Sequence, residues 1–167
     1  MTPEAAVAQL AASLLAHEID ASILASLQQP DTAGILKVIE PAVALSLEKD
    51  WTPQDFADAA LEYRRLFIFN PVAPARAAAY EGRDNLEVAG RIQFMLDSGF
   101  LELPERFKTL APDHVALLLL VYSSLEGDDS LQFKNDNLVW LSDFSERLED
   151  ESRHALYLLA AKILQVV

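Results

Sequence analysis

Val115 to Tyr122 is an unbroken apolar run, headed by Ala111-Pro112-Asp113-His114. A segment that is apolar on every side reads as a helix buried all round, and the rest of the chain must supply its cover. The run is far shorter than the roughly 20 apolar residues that a membrane span requires. Pro112 suits a first helical position, where its missing N–H is not needed, and this places Asp113 and His114 in the first turn. The helix dipole favours a carboxylate there and biases an imidazole toward its neutral form. Two readings follow. In one, Asp113 caps the central helix and His114 is a partly buried neighbour. In the other, a rigid helix presents an acid and an imidazole at the mouth of a pocket.

Cover of this kind is expected from helices. Hydrophobic residues make up 51% of the 167-residue chain, Ala and Leu dominate, and there are only 5 Gly, so helix is favoured over strand almost throughout. The length suits one domain, residues 1–167, with a core that needs no disulfide. Cys is absent, which excludes thiolate metal sites and thiol nucleophiles. The 26 Asp and Glu against 13 Lys and Arg leave a net charge of −13, which repels nucleic-acid phosphates and anionic lipid and favours a basic partner. The first Lys or Arg is Lys37, so no signal-peptide n-region is expected, and a cytoplasmic location without membrane insertion is the expectation.

Thr2-Pro3-Glu4 is a helix start, and Ala5 to Leu27 reads as helix with a break near Glu18 to Asp20. Thr32 to Leu47 reads as helix divided near Ile39, because Pro41 removes a ladder donor. Thr52-Pro53-Gln54-Asp55 repeats the start signature, and Phe56, Ala60, Tyr63 and Phe67 then recur on one face. Asn70 to Asp84 carries Pro71, Pro74 and Gly82 and is the one long loop, with Ala75 to Tyr80 able to form a helical turn. Leu86 to Ser98 is helical, with Ala89, Ile92, Met95 and Leu96 on one stripe and Gly99 as terminator. Pro104 to Leu110 reads as a short helix. Glu126 to Asp129 separates the central helix from the next, which carries Trp140, Phe144 and Leu148 at i, i+4 and i+8. Asp150 is placed to cap the last helix, whose stripe includes Leu156, Leu159, Ile163 and Leu164. The expectation is an all-α, single-domain helical bundle of about seven or eight helices.

Most catalytic chemistries lack their residues. Glu151-x-x-His154 has the spacing of di-iron bundle ligands, but His17 and His114 follow Leu14 and Ala111 by three, so no second copy exists and Glu151 and His154 read as an exposed first turn. No metal site and no cofactor is expected. Gly34, Gly82, Gly90, Gly99 and Gly127 are scattered, which leaves no phosphate loop, and no Gly-x-Ser-x-Gly elbow occurs. Asp113 and His114 are adjacent, and neighbours in a helix do not face each other, so no catalytic residue is assigned. Binding features are clearer. Glu126 to Glu151 holds nine acids against Lys134 and Arg147, a local balance of −7 that marks either a solvated face or an acidic rim. Tyr80, Tyr122, Trp140 and Phe144 are aromatics near loops or helix ends, which read either as core or as part of a binding surface. The long loop is expected beside the Asp113–His114 turn. An apolar groove with an acidic rim suits a basic, amphipathic peptide.

Pro112-Asp113-His114 with the Leu-rich run behind it resembles the Pro/Glu-Asp-His motif of the TorD/DmsD family of redox-enzyme maturation chaperones, relatives of the NarJ type. Tyr63 to Pro71, Tyr-Arg-Arg-Leu-Phe-Ile-Phe-Asn-Pro, resembles the family's Arg-Leu-Phe segment ending in Gly-Pro, with Asn70 where Gly is common. Pro74 to Tyr80 resembles the loop that follows, and Leu138 to Phe144 resembles the Leu-Pro-Trp segment, with Val139 in place of Pro. The segments keep the family's order from Trp51 onward. The resemblance implies a cytoplasmic, non-enzymatic helical chaperone. Its partner would be the twin-arginine signal peptide of a molybdenum-cofactor oxidoreductase precursor, together with the precursor's body in some members, and its task to delay export until the enzyme is matured. It assigns peptide binding to Pro112, Asp113 and His114, and on the same resemblance to Tyr80, Trp140 and Phe144. A monomer or a helix-swapped dimer is expected. The rival expectations are a metal- or cofactor-binding helical enzyme and a ligand-sensing regulatory domain, the latter without a basic helix-turn-helix stretch.

Overall fold

The computed structural model describes residues 2–81, 85–99 and 101–167. Eleven α-helices and one 3₁₀ turn occupy the described residues, with no strand among them. The chain is all-α, with more and shorter helices than the seven or eight expected. They are α1 (Pro3–Ala16), α2 (Ala21–Leu27), α3 (Pro30–Ile39), α4 (Pro41–Leu47), α5 (Pro53–Phe67), α6 (Ala78–Glu81), α7 (Asn85–Asp97), α8 (Val115–Ser123), α9 (Gly127–Asn137), α10 (Leu141–Glu151) and α11 (Ala155–Leu164), with the 3₁₀ turn at Glu105–Phe107. Gly82 and Asp84, at the end of the expected loop, lie outside the described residues.

Local chemistry sets most boundaries. Prolines stand at the starts of α1, α3, α4 and α5, where the N–H they lack has no intrahelical partner. Pro41 divides α3 from α4 as expected, but α3 starts at Pro30, two residues before Thr32. Thr52 and Asp55 form a reciprocal cap, the Thr52 N–H donating to Asp55 Oδ2 at 2.7 Å and the Asp55 N–H to Thr52 Oγ1 at 3.3 Å. The expected break after α1 is real, and Asp20 starts α2 by accepting the Ile23 N–H at 2.8 Å. Gly99 takes φ +75° after α7, as a terminator should.

Three boundaries differ from expectation. The Trp140–Phe144–Leu148 segment is a helix of its own: α9 ends at Asn137, whose carbonyl accepts the Trp140 indole N–H at 2.8 Å, and Trp140 is the residue before α10 without a side-chain cap bond to it. Asp150 lies inside α10 and does not cap α11; His154 does, its Nδ1 accepting the Leu156 N–H at 3.2 Å. Glu151 and His154 therefore straddle a helix break, not a shared first turn. Between Pro104 and Leu110 only the 3₁₀ turn forms.

The core is arranged around α8, whose residues Val115 to Tyr122 are all buried. α1 is its main partner, and the fully buried Ala8, Ala11 and Ala12 let the two helices approach closely. α11 packs against α1, α4 and α10. α5 is tied to α1 and α11 through buried hydroxyls: Tyr63 Oη donates to the carbonyls of Leu15 and Ala16, and Tyr157 Oη to that of Ala59 at 3.1 Å. The expected α5 stripe is buried at Tyr63 and Phe67 and half-buried at Phe56 and Ala60. Glu62 shares the buried face, held by Arg65 at 2.8 Å and by the Arg153 N–H at 2.6 Å.

Leu118, at the centre of α8, has no exposed surface, whereas Leu131 on α9 is 59% exposed. Leu118→Ala is expected to cost about 2–5 kcal/mol in chemical denaturation. Leu131→Ala is expected to stay within about 0.5 kcal/mol of the parent. Equal effects would contradict this placement of the core.

Candidate functional site

The start of α8 is buried, so its orphan backbone donors need partners. His114 supplies two acceptors as the N-cap: its Nδ1 accepts the Ala116 N–H at 3.2 Å and its carbonyl accepts the Leu117 N–H at 3.0 Å. A third acceptor comes from the long loop, where the Ala75 carbonyl takes the Val115 N–H at 2.9 Å. In return the Ala77 N–H donates to the Asp113 carbonyl at 3.0 Å, making an isolated antiparallel bridge between Arg76 and His114. The loop thus lies beside the Asp-His turn, as expected. The helix itself starts later than expected. Pro112 and Asp113 form the turn that precedes it, and His114 is its cap, not a first-turn residue.

Asp113 is completely buried, and its carboxylate faces the loop. Arg76 donates to Oδ1 through Nε at 2.9 Å and through Nη2 at 2.7 Å. Among the described residues Oδ2 receives only the Ala78 N–H, at 3.4 Å. The Arg76 side chain remains 49% exposed. Asp113 therefore caps nothing on α8 and holds the loop instead.

The acceptor role of His114 Nδ1 places the ring proton on Nε2. Burial pushes the imidazole pKa down to about 4; Asp113 opposes the shift, while His17 and Arg76 add to it. The neutral form expected at this position is what the geometry needs, since a protonated Nδ1 could not accept from Ala116.

His114 and Arg76 line a groove of about 640 Å³ that runs past the end of α1 to the end of α5. Its floor is buried Tyr63 and Phe67, and its lip is Ile68 and Phe69, which are 54% and 72% exposed. Leu110 closes the opposite side, and His17 bonds through Nε2 to the Arg106 carbonyl. Glu18 and Arg64 form a two-bond ion pair on the rim, at 2.6 and 3.1 Å. Asn70, just beyond the lip, takes φ +50°. Asn is among the few side chains that tolerate this left-handed conformation, which suits a position where Gly is the alternative.

The six expected site residues divide into two groups. Pro112, Asp113 and His114 form the turn, but only His114 faces the groove; Pro112 borders a smaller hollow with Leu103 and Phe107. Tyr80, Trp140 and Phe144 form a second cluster, in which Phe144 meets the floor residue Phe67 with ring centroids 6.5 Å apart. Tyr80 stacks on Trp140 with centroids 5.3 Å apart, and Phe144 meets both rings. Trp140 and Phe144 are buried, and burial raises the Tyr80 hydroxyl pKa to about 12. These rings anchor the far end of the loop and do not line the groove. Tyr122 is buried in α8 and joins none of these ring contacts. The acids Glu126, Asp128, Asp129, Asp136, Asp143 and Glu146 are exposed on α9 and α10, away from the groove.

Sequence reasoning missed Arg76, Phe69, Ile68 and the groove floor. One signal existed for Arg76, the single charged residue between Asn70 and Tyr80. Among the described residues no group of three or more His, Asp or Glu is gathered as a metal site, and no helix is long and apolar enough to cross a membrane. No protein-family model, curated protein or solved structure matches the chain.

Between pH 6.5 and about 4 the unfolded chain protonates His114 and the folded chain does not. The neutral residue thus contributes stability above pH 6.5 that is lost as pH falls toward 4. His114→Asn keeps a capping acceptor that does not titrate. From pH 7 to 4.5 the parent is expected to lose about 2–3 kcal/mol relative to this variant, measured by urea denaturation. Parallel pH profiles would contradict a buried neutral imidazole.

Proposed function

We propose that this chain is a peptide-binding chaperone without enzymatic activity, acting in the manner of the TorD/DmsD family on the signal of a redox-enzyme precursor. The observation that carries the reading is the groove beside the Asp-His turn. Its floor is aromatic, the buried rings of Tyr63 and Phe67, and its lip exposes two large apolar side chains, Ile68 and Phe69, that a folded monomer gains nothing by presenting to water. A peptide's apolar stretch would fill it. Burying one Leu- or Phe-sized side chain contributes about 1.5–3 kcal/mol, so two or three anchors supply about 3–9 kcal/mol toward the cost of association and of ordering the segment.

Charge supplies the second half of recognition. A net charge of −13 attracts a basic segment from a distance and raises its local concentration. In a twin-arginine signal the arginines precede the apolar stretch, so one ligand answers both features. The chaperone would work by occlusion: a signal lying in the groove cannot be read by the export machinery until it is released. The proposal places this step in the cytoplasm, with the precursor of a molybdenum-cofactor oxidoreductase as client and a monomer or helix-swapped dimer as the acting species.

The test is calorimetric titration with a synthetic peptide of two adjacent arginines followed by ten apolar residues. The parent is expected to bind, with an affinity that falls as salt rises but persists at high salt through the apolar contacts. Phe69→Ala and Ile68→Ala, both at exposed positions, are expected to weaken binding about ten-fold each with no change in melting temperature. No binding by the parent, or full affinity in both variants, would contradict the reading.

A further inference from the structure

We propose that Arg76 is a resident competitor at a guanidinium-binding site: it occupies buried Asp113, and an arginine of the bound peptide takes its place. The inference rests on the groove being the peptide site and adds how the basic part of the ligand is recognised there.

Three observations carry it. The first is the imperfect fit of Arg76 to its carboxylate. Both of its bonds go to Oδ1, at 2.9 and 2.7 Å, while Oδ2 has, among the described residues, a single N–H at 3.4 Å. A guanidinium that arrives end-on can meet both oxygens with parallel bonds, the stronger arrangement for this pair. Asp113 has no exposure to water that would satisfy Oδ2 otherwise.

The second is where Arg76 lies. It lines the groove with 49% of its side chain exposed, while Asp113 is fully buried. Arg76 is therefore the plug between the groove and the carboxylate, and a swing of its guanidinium into solvent opens one to the other.

The third is that the loop does not depend on this ion pair alone. The bonds from Val115 to Ala75 and from Ala77 to the Asp113 carbonyl remain when the guanidinium leaves. So do those from Ala73 to the Leu66 carbonyl, at 3.1 Å, and from Arg147 Nε to the Val72 carbonyl, at 2.5 Å. Exchange of one guanidinium for another needs a side-chain rotation and no unfolding of the loop. Arginine suits the exchange better than lysine, whose single ammonium cannot meet both oxygens in parallel.

The test compares the parent and Arg76→Ala against two peptides: the diarginine peptide described above and the same peptide with both arginines replaced by citrulline, the neutral isostere. Arg76→Ala is expected to bind the arginine peptide about ten-fold tighter than the parent and the citrulline peptide equally well. Unchanged or weaker binding of the arginine peptide, or an equal gain for citrulline, would overturn the proposal. Millimolar N-methylguanidinium is expected to raise the melting temperature of Arg76→Ala, against equal sodium chloride, and to leave the parent unchanged; no shift in the variant would overturn it. If Arg76→Ala does not fold, Arg76→Lys carries the same comparison, with a smaller gain in the same direction expected. If neither peptide binds any form, the chaperone reading is contradicted, and the N-methylguanidinium shift then decides the exchange by itself.

Discussion

The structure depends on hiding a helix that has no polar side. With Val115 to Tyr122 all buried, α8 cannot lie at the surface, and the chain meets this by setting small residues of α1 against it and closing the remaining sides with other helices. Burial extends to the helix start, where backbone donors would otherwise face the core unpaired, at about 1–3 kcal/mol each. The His114 ring, its carbonyl and the Ala75 carbonyl of a distant loop meet that demand. The loop is drawn to the turn by this requirement, and the groove is the space left between the loop, the end of α1 and the end of α5.

Charge is distributed on two scales. Inside, single carboxylates do local work: Asp113 holds Arg76, and Glu62 holds Arg65 and the start of the α11 connection. Outside, the acids of α9 and α10 are solvated and act together as a field. A basic ligand would be attracted by the second and recognised by the first. This division explains how a strongly acidic protein can own an apolar groove whose rim carries arginines as well as glutamate: the rim arginines are already engaged with carboxylates.

Local signals were legible at many of the boundaries that rest on residues close in sequence, though not at the start of α11, which His154 caps and Asp150 does not. The prolines at helix starts, the Thr52–Asp55 box, the break at Pro41 and the Gly99 terminator all act within a few positions. The loop beside the Asp-His turn was legible as well. Asp113 was misplaced because Pro112 is as well suited to a turn as to a helix start. The choice is made by Arg76 and Ala77, 37 and 36 residues away, which no local pattern reveals. Trp140 misled for the opposite reason, since its i, i+4, i+8 spacing with Phe144 and Leu148 is real although the helix begins one residue after it. The aromatic residues expected at the ligand pack away from the groove, whose floor is Tyr63 and Phe67, legible only as a core stripe, and whose lip, Ile68 and Phe69, lies past the helix end where periodicity carries no signal.

The central claim is that the groove beside His114 is the ligand surface. Its most direct measurement is a two-dimensional amide NMR titration of the full chain with the diarginine peptide. Shifts are expected to cluster at His17, Ile68, Phe69, Arg76, Leu110 and His114, leaving the exposed faces of α9 and α10 unmoved. Shifts confined to the acidic residues from Glu126 to Glu151, with the groove silent, would show that the peptide is held by surface charge alone and would contradict the claim.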